Sequence, residues 1–365
     1  MKQIPSLKSP TTPPLLNVSK HYHVPKMKKM VFVGFLVMVV LLGCNIMVDG
    51  ENNELSFKQI SNINKEGSYL GIVVPNPYEL SPLFQSSTFV PHNKFPYFDF
   101  AGRHFRIGEL EKKKVIVVMC GESMLNAGVA TQLLLTLFDV RGVLHYGIAG
   151  NLNSKHQIGD VAIPKYWAHT GEWHWQRFGD KEDGNGKFNT EFGYLKFSDY
   201  KNYTKHSESS VENLLNKVWY QPERIFPVNG TPEKWQDVFW VPVDKTYFEI
   251  ARKRKNFELI RCVKTTCLPK KPVVVRVKKG VSGNVFVDNR AYREHLKSKF
   301  DATPTDMESA AVALVCFQQN VPFIAFRGLS DLAGGGSGLK SEIFTHLTLA
   351  AQNAFDVLVK FISLL

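Results

Sequence analysis

The chain has 365 residues, 44% of them apolar and 12% aromatic, which provides for one large domain or two modest ones with a sizeable core and excludes global disorder. The formal net charge is +12, and six basic residues against one acid fall in the first fifty positions. No nucleic-acid recognition motif accompanies this excess, so nucleic acid is not an expected partner and the basic run Arg252-Lys253-Arg254-Lys255 reads as a solvated face.

Residues 1–50 do not read as fold. Lys26-Met27-Lys28-Lys29 stands ahead of an apolar run from Met30 to Val48, and small residues follow at Asp49-Gly50. This is the order of a secretory signal cleaved after Gly50, which would deliver the chain to the cell exterior or a vacuole. The alternative is an uncleaved anchor, a single membrane pass through residues 30–48, since roughly 18 apolar residues approach the spanning limit. Gly43, Asn45 and Asp49 weaken its far end. The polar, Pro-rich stretch 1–25 is unusual ahead of a signal, and Met27 and Met30 are alternative starts.

Residues 51–365 are the expected folded domain. Tyr69–Val74 reads as a strand, followed by a long polar connection that carries Glu79. A strand near 105–110 and the run Val115–Met119 come next, then helical spacing over 126–138 with Asn126 placed to cap it. Gly142–Gly147 is a strand that enters the turn Ile148-Ala149-Gly150, and Gly159–Pro164 is a further short strand. Residues 170–270, rich in aromatics, Lys, Asn and Gly and without regular period, read as an elaborated insert with helices at about 208–219 and 246–256. Strands over Val273–Val277 and Val281–Val287 follow. A helix over 290–299, a helix over 306–319 opened by Thr305-Asp306-Met307-Glu308, a strand over 322–328 and a terminal helix near 341–363 finish the chain. His346, Gln352, Asn353, Asp356 and Lys360 interrupt that last helix, so it reads as amphipathic rather than membrane-spanning. Buried strand runs separated by helices predict an α/β fold: three αβα layers around a central mixed, mainly parallel sheet.

Cys120 and Cys316 fall in apolar elements and read as buried free thiols. Cys262 and Cys267 sit close in a basic loop; a disulfide is the preferred reading and two free thiols the alternative. Asn202-Tyr203-Thr204 and Asn229-Gly230-Thr231 are glycosylation sequons. His169, Glu172 and His174 match no standard metal-ligand spacing, and no metal is expected. Gly334–Gly338 lacks the Lys-Ser/Thr ending of a phosphate loop and reads as a flexible linker.

Three carboxylates stand where a parallel α/β sheet usually puts its ligand. Glu79 follows the first strand, Glu308 lies at a helix start, and Asp331 ends the segment Phe326-Arg327-Gly328-Leu329-Ser330-Asp331. Together they point to acid–base work on a bond next to a sugar or a base. Taken singly, each also fits a local role as loop acid, first-turn helix acid or turn residue.

Five ordered segments carry a family resemblance over roughly residues 68–365, the insert apart. They are Gly71–Glu79, His145–Gly150, Gln157–Val161, Val281–Val287 and the pair Asp306–Glu308 with Arg327–Asp331. They resemble the purine nucleoside phosphorylase and nucleosidase superfamily, and within it the 5′-methylthioadenosine/S-adenosylhomocysteine nucleosidases. The leader, the segment His169–Trp175 and the insert resemble more specifically the plant bark storage proteins, exported relatives of those enzymes. The resemblance implies a nucleoside phosphorylase-like fold, a homo-oligomer, a small purine nucleoside as partner and no cofactor.

It also implies roles. Asp331, oriented by Ser330, would protonate the leaving purine at N7. Glu308 would stabilise an oxocarbenium-like sugar. Glu79 would deprotonate water, with Arg327 helping to hold that water. Phe286 would stack on the base, the backbone of Val287 would read its edge, Met307 would pack beneath the ribose, and Ile148-Ala149-Gly150 would lie beside it. Ile148 departs from the family's hydroxyl residue, and Asn151 from a second glycine, which puts rate and substrate choice in question. No arginine near Glu79 is placed for phosphate, which favours hydrolysis over phosphorolysis. The leading expectation is an exported N-glycosyl hydrolase of an adenine-type nucleoside. The alternatives are a storage or defence protein with little or no catalysis, a phosphate-dependent phosphorylase, and a binding module without turnover.

Overall fold

The computed structural model describes residues 56–175, 189–196, 217–253, 257–263, 266–339 and 342–365. The leader or anchor over 1–50, the sequon at Asn202 and most of the helix expected at 208–219 lie outside the described residues. Ile60–Leu365 form one compact unit.

The centre of that unit is β1 (Tyr69–Val74), all six residues of which are buried. An unbroken apolar run is what a strand covered on both faces requires. The short strands β2 (Phe89–Pro91) and β3 (Tyr97–Phe100) lead into β4 (Arg103–Leu110) and β5 (Lys113–Met119). The remaining strands of the main sheet are β6 (Val140–Asn151), β7 (Val161–His169), β8 (Val241–Pro242), β9 (Val274–Ser282), β10 (Pro304–Asp306) and β11 (Phe323–Leu332). They make one eleven-stranded sheet in the order β8-β7-β9-β10-β6-β1-β5-β4-β2, with β11 joining β6 to β7 and β3 pairing β4. The long central pairings β5–β1–β6–β11 and β7–β9 are parallel, and the sheet is mixed because β10 meets β6, β11 meets β7 and the β4 edge meets β5 antiparallel. Since β6, β11, β7, β9 and β10 pair in a closed circuit, Gly150, Asp331, Ser282 and Asp306 come to one end of it.

The helices are α1 (56–65), α2 (Pro77–Gln85), α3 (Met124–Leu137), α4 (Lys245–Lys253), α5 (Arg290–Phe300), α6 (Ser309–Gln318) and α7 (Glu342–Ile362). Ala127, Ala130 and Leu134 of α3 and Ala310–Ala313 of α6 cover one face of the sheet with Ile116 and Val118. Leu80 and Leu83 of α2, Ala251 of α4 and Phe355, Leu358 and Phe361 of α7 cover the other with Ile72, Val117 and Ile324. These are the three expected layers.

Several boundaries differ from the sequence reading. The connection after β1 is a helix, not an irregular loop: Asn76 caps α2 by accepting from Tyr78 N and Glu79 N, and Pro77 sits where its missing N–H costs nothing. α3 begins at Met124, and Asn126 lies inside its first turn, donating to the carbonyl of Glu122 rather than capping. Ile148-Ala149-Gly150 is not a turn, because β6 stays paired with β11 through Asn151. Val281–Val287 is not a strand beyond Ser282, since Asn284 turns away to accept from Met124 N. Thr305 and Asp306 belong to β10, and the helix begins only at Ser309. Within the insert, Lys217–Tyr220 is a strand, paired with Trp173–Trp175 and Tyr194–Lys196, where the end of a helix was expected.

Candidate active site

A cavity of about 230 Å³ opens at the end of the closed strand circuit. Glu79, Glu308, Asp331, Ser330, Ile148, Ala149, Gly150, Phe286, Val287 and Met307 all line it, together with Asn76, Tyr78, Glu122, Thr305, Asp306 and Leu347. β1 and α2 supply Glu79, the β10–α6 junction supplies Glu308, and β11 supplies Ser330 and Asp331. Phe286 is 59% exposed at the mouth, while Val287 behind it is buried.

Arg327 does not line the cavity. Its side chain is fully buried behind the wall. Its guanidinium instead ties the wall together. Nε donates to Ser309 Oγ at 2.9 Å, Nη1 to the carbonyl of Ile148 at 3.2 Å, and Nη2 to Glu308 Oε2 at 3.4 Å and to His145 Nε2. Glu79 Oε1 lies 3.5 Å from Nη1, and Asp306 Oδ2 lies 2.7 Å from Nε. The Asp306 Oδ2 contact is one of charge only, because the single Nε–H points at Ser309 and leaves Oδ2 without a hydrogen bond.

Each carboxylate has a local reason for its place. Glu79 Oε1 accepts from Ile148 N at 2.6 Å, a backbone contact that any residue but proline at 148 provides, while Oε2 is buried without a hydrogen-bond partner. Glu308 Oε1 accepts from Ser123 N at the start of α3, where the exposed N–H groups favour a negative charge. Asp306 Oδ1 accepts from Glu308 N, Ser309 N and Ser282 Oγ, so Asp306, not Glu308, caps α6. Ser330 Oγ donates to Asp331 Oδ1 at 2.7 Å.

Three acids around one buried cation cannot all be ionised at low cost. Burial pushes the Glu79 carboxyl up to about 8, with Glu308 and Asp306 adding to the rise and Arg327 opposing it. Glu308 is raised to about 7, again by burial first, with Asp306 adding and Arg327 opposing. For Arg327 burial works against the charge, but Asp306, Glu308 and Glu79 outweigh it and hold the guanidinium firmly protonated.

The sequence reading missed Asp306 as a site residue, and with it Ser282, Ser309 and His145. Asp306 was visible as a short polar side chain ahead of an apolar helix, but the strand that displaces the helix start hid its capping role. Elsewhere, Cys262 and Cys267 are joined in a disulfide, Cys120 and Cys316 are buried free thiols, and Asn229 is exposed. His169 pairs with Glu223, and among the described residues no group of three or more His, Cys, Asp or Glu is placed to hold a metal. Among the described residues no helix is long and apolar enough to cross a membrane.

A model of the phosphorylase superfamily matches residues 69–363. Bark storage protein A of Populus deltoides is 33% identical over 296 residues, covering 80% of this chain and 88% of the relative. A 5′-methylthioadenosine/S-adenosylhomocysteine nucleosidase of Halalkalibacterium halodurans is 26% identical over 256 residues, covering 70% and 83%. In fold, the chain is similar to the nucleosidase of that name from Neisseria meningitidis in complex with methylthio-immucillin-A. The TM-score is 0.55 at 21% identity, over 82% of this chain and 100% of the other.

Proposed function

We propose, because the chain belongs to the phosphorylase superfamily, that it is an exported nucleosidase that hydrolyses the N-glycosidic bond of an adenine-type nucleoside to free base and pentose. The observation that carries this reading is the gathering of Glu79, Glu308 and Asp331, from three distant segments, on the wall of one nucleoside-sized cavity. In the mechanism it supports, Asp331 gives a proton to N7 of the base as the C–N bond breaks, and the bonding pair leaves with the base. Ser330 donates to Oδ1 and so leaves the proton on Oδ2. Ionised Glu308 stabilises the positive charge that builds on the sugar. Water adds to the anomeric carbon, and its proton passes to Glu79, whose Oε2 has no other partner.

Water rather than phosphate as acceptor is supported by the cavity's charge. Among the described residues its lining contains Glu79, Glu122, Asp306, Glu308 and Asp331 and no Lys, Arg or His, while Arg327 donates to Ser309, Ile148, Glu308 and His145 behind the wall. A phosphate dianion would meet carboxylates without a counter-charge. Export is supported by the leader-like order of Lys26–Gly50 and by the Cys262–Cys267 disulfide, which suits an oxidising compartment. A storage role with little turnover is the second reading. It is favoured by Ile148 in place of a hydroxyl beside Glu79 and by the higher identity to bark storage protein A.

The test is release of free base by the full chain from a secretory host, given methylthioadenosine, adenosine or inosine with and without phosphate. Release without phosphate that is lost in Asp331→Asn supports the proposal. Release that requires phosphate makes the protein a phosphorylase, and no release from a folded protein leaves the storage reading.

A further inference from the structure

His145 is fully buried, does not line the cavity and has no part in the mechanism above. It lies in the middle of β6, opposite Val73 of β1 and Ala325 of β11. Its two ring nitrogens have unlike partners. Nδ1 is 2.8 Å from the carbonyl oxygen of Val73, which only accepts. Nε2 faces Arg327 Nη2, which only donates. The ring is therefore neutral, with its proton on Nδ1 and a lone pair aimed at the guanidinium.

We infer that His145 is a positioning residue. Its imidazole fixes the guanidinium of Arg327 by accepting from Nη2, so that one cation faces Glu79, Glu308 and Asp306 in a single geometry. This rests on the nucleosidase reading for its catalytic consequence but not for its chemistry. The remaining Arg327 contacts are to a hydroxyl, one carbonyl and acids at 2.7–3.5 Å. The charged and titratable groups facing this guanidinium are Glu79, Asp306, Glu308 and the thiol of Cys120, all of which raise its proton affinity. Burial and then the cation hold His145 well below the usual imidazole range, so it stays an acceptor across the pH range in which Glu79 and Glu308 titrate.

Two variants separate positioning from packing. His145→Gln can place an amide oxygen near the position of Nε2, whereas His145→Phe keeps a planar ring without an acceptor. In His145→Phe, kcat is expected to fall about a hundredfold with KM within about threefold, and the titration of 13C-labelled glutamate carboxyls to move upward. His145→Gln is expected to restore most of the rate and the wild-type titration. In the wild type, ring 15N shifts should report the neutral Nδ1–H form at pH 5 as at pH 8. Equal losses in both variants, an unmoved carboxyl titration in His145→Phe, or an imidazolium at pH 5 would each overturn the inference. The two NMR readouts need no turnover, so an inactive wild type would defeat the nucleosidase reading while the carboxyl titration still decides whether His145 sets the guanidinium.

Discussion

Gly147 is glycine because two other side chains occupy the space its Cβ would need. A Cβ there would lie 2.2 Å from Glu79 Oε1 and 2.3 Å from Arg327 Nη1, and both groups are too buried to swing aside. Gly147→Ala is therefore expected to cost about 1–3 kcal/mol and to displace the Glu79 carboxyl, so that thermal melting and, under the proposed mechanism, base release fall together. Glu79 itself makes a separable prediction. Its carboxyl is raised from 4.5 to about 8 in the fold, so the folded state favours the neutral form. That contribution to stability is fully present below about pH 4.5 and is lost as pH rises through about 8. Glu79→Gln removes the titration, and its melting temperature relative to the wild type should climb between pH 5 and 8.5. In the proposed mechanism catalysis runs the other way, because Glu79 as base must first lose its proton. Base release by the wild type should rise over the same interval, and Glu79→Gln should lose about 10²- to 10⁴-fold at pH 8.5 and less at pH 5. A melting difference that does not change with pH would mean that Glu79 is ionised throughout.

At the scale of elements, the β10–α6 junction shows how one capping group serves two elements. Asp306 Oδ1 takes Glu308 N and Ser309 N, Ser282 Oγ takes Ala310 N and donates back to Asp306, and together they hold the start of α6 against the end of β9. Ser282→Ala removes a fully buried hydroxyl that both donates and accepts, which should cost about 1–3 kcal/mol in urea unfolding. It should also lower kcat more than it raises KM, since its partner Asp306 lies two residues before Glu308. The same junction marks where sequence reading ends. β1, β5 and β11 were legible because strands covered on both faces are continuous apolar runs, and α7 because its apolar stripe is long. Glu79, Glu308 and Asp331 were legible as acids at the ends of such runs. The loss of strand character after Ser282 was not, because Val285, Phe286 and Val287 keep a strand-like composition while Asn284 is engaged as the cap of α3. Nor was the place of Arg327, whose hydrogen bonds run to Ile148 and His145 of β6, to Glu308 and to Ser309 of α6, partners that no local pattern joins.

At the scale of the molecule, the insert is fastened to the core through Asn353 of α7. This side chain is fully buried, accepts from Ile260 N, and donates to the carbonyls of Ile260 and Gly159, so it joins the end of the insert, the loop before β7 and the C-terminal helix. Just beyond Ile260 the chain forms a hairpin closed by Cys262–Cys267, and Arg261 donates to the carbonyls of Leu268 and Pro269 on its far side. Two devices thus restrain one segment, and their strengths differ. Closing so short a loop removes only about 2 kcal/mol of unfolded-chain freedom. Asn353→Ala leaves the buried carbonyl of Gly159 without that partner, at about 1–3 kcal/mol, and also strips the half-buried N–H and carbonyl of Ile260 of theirs. Replacing both cysteines with serine should therefore lower stability less than Asn353→Ala. Because each change loosens the same segment, the triple variant should lose less than the sum of the two, by more than the roughly 0.5 kcal/mol scatter of independent sites. Base release by the disulfide-free protein should equal that of the wild type, since none of the described residues in 260–269 lines the cavity. Additive losses in urea unfolding would show that the hairpin and Asn353 restrain different parts of the fold, and a fall in kcat on removing the disulfide would show that the insert reaches the site.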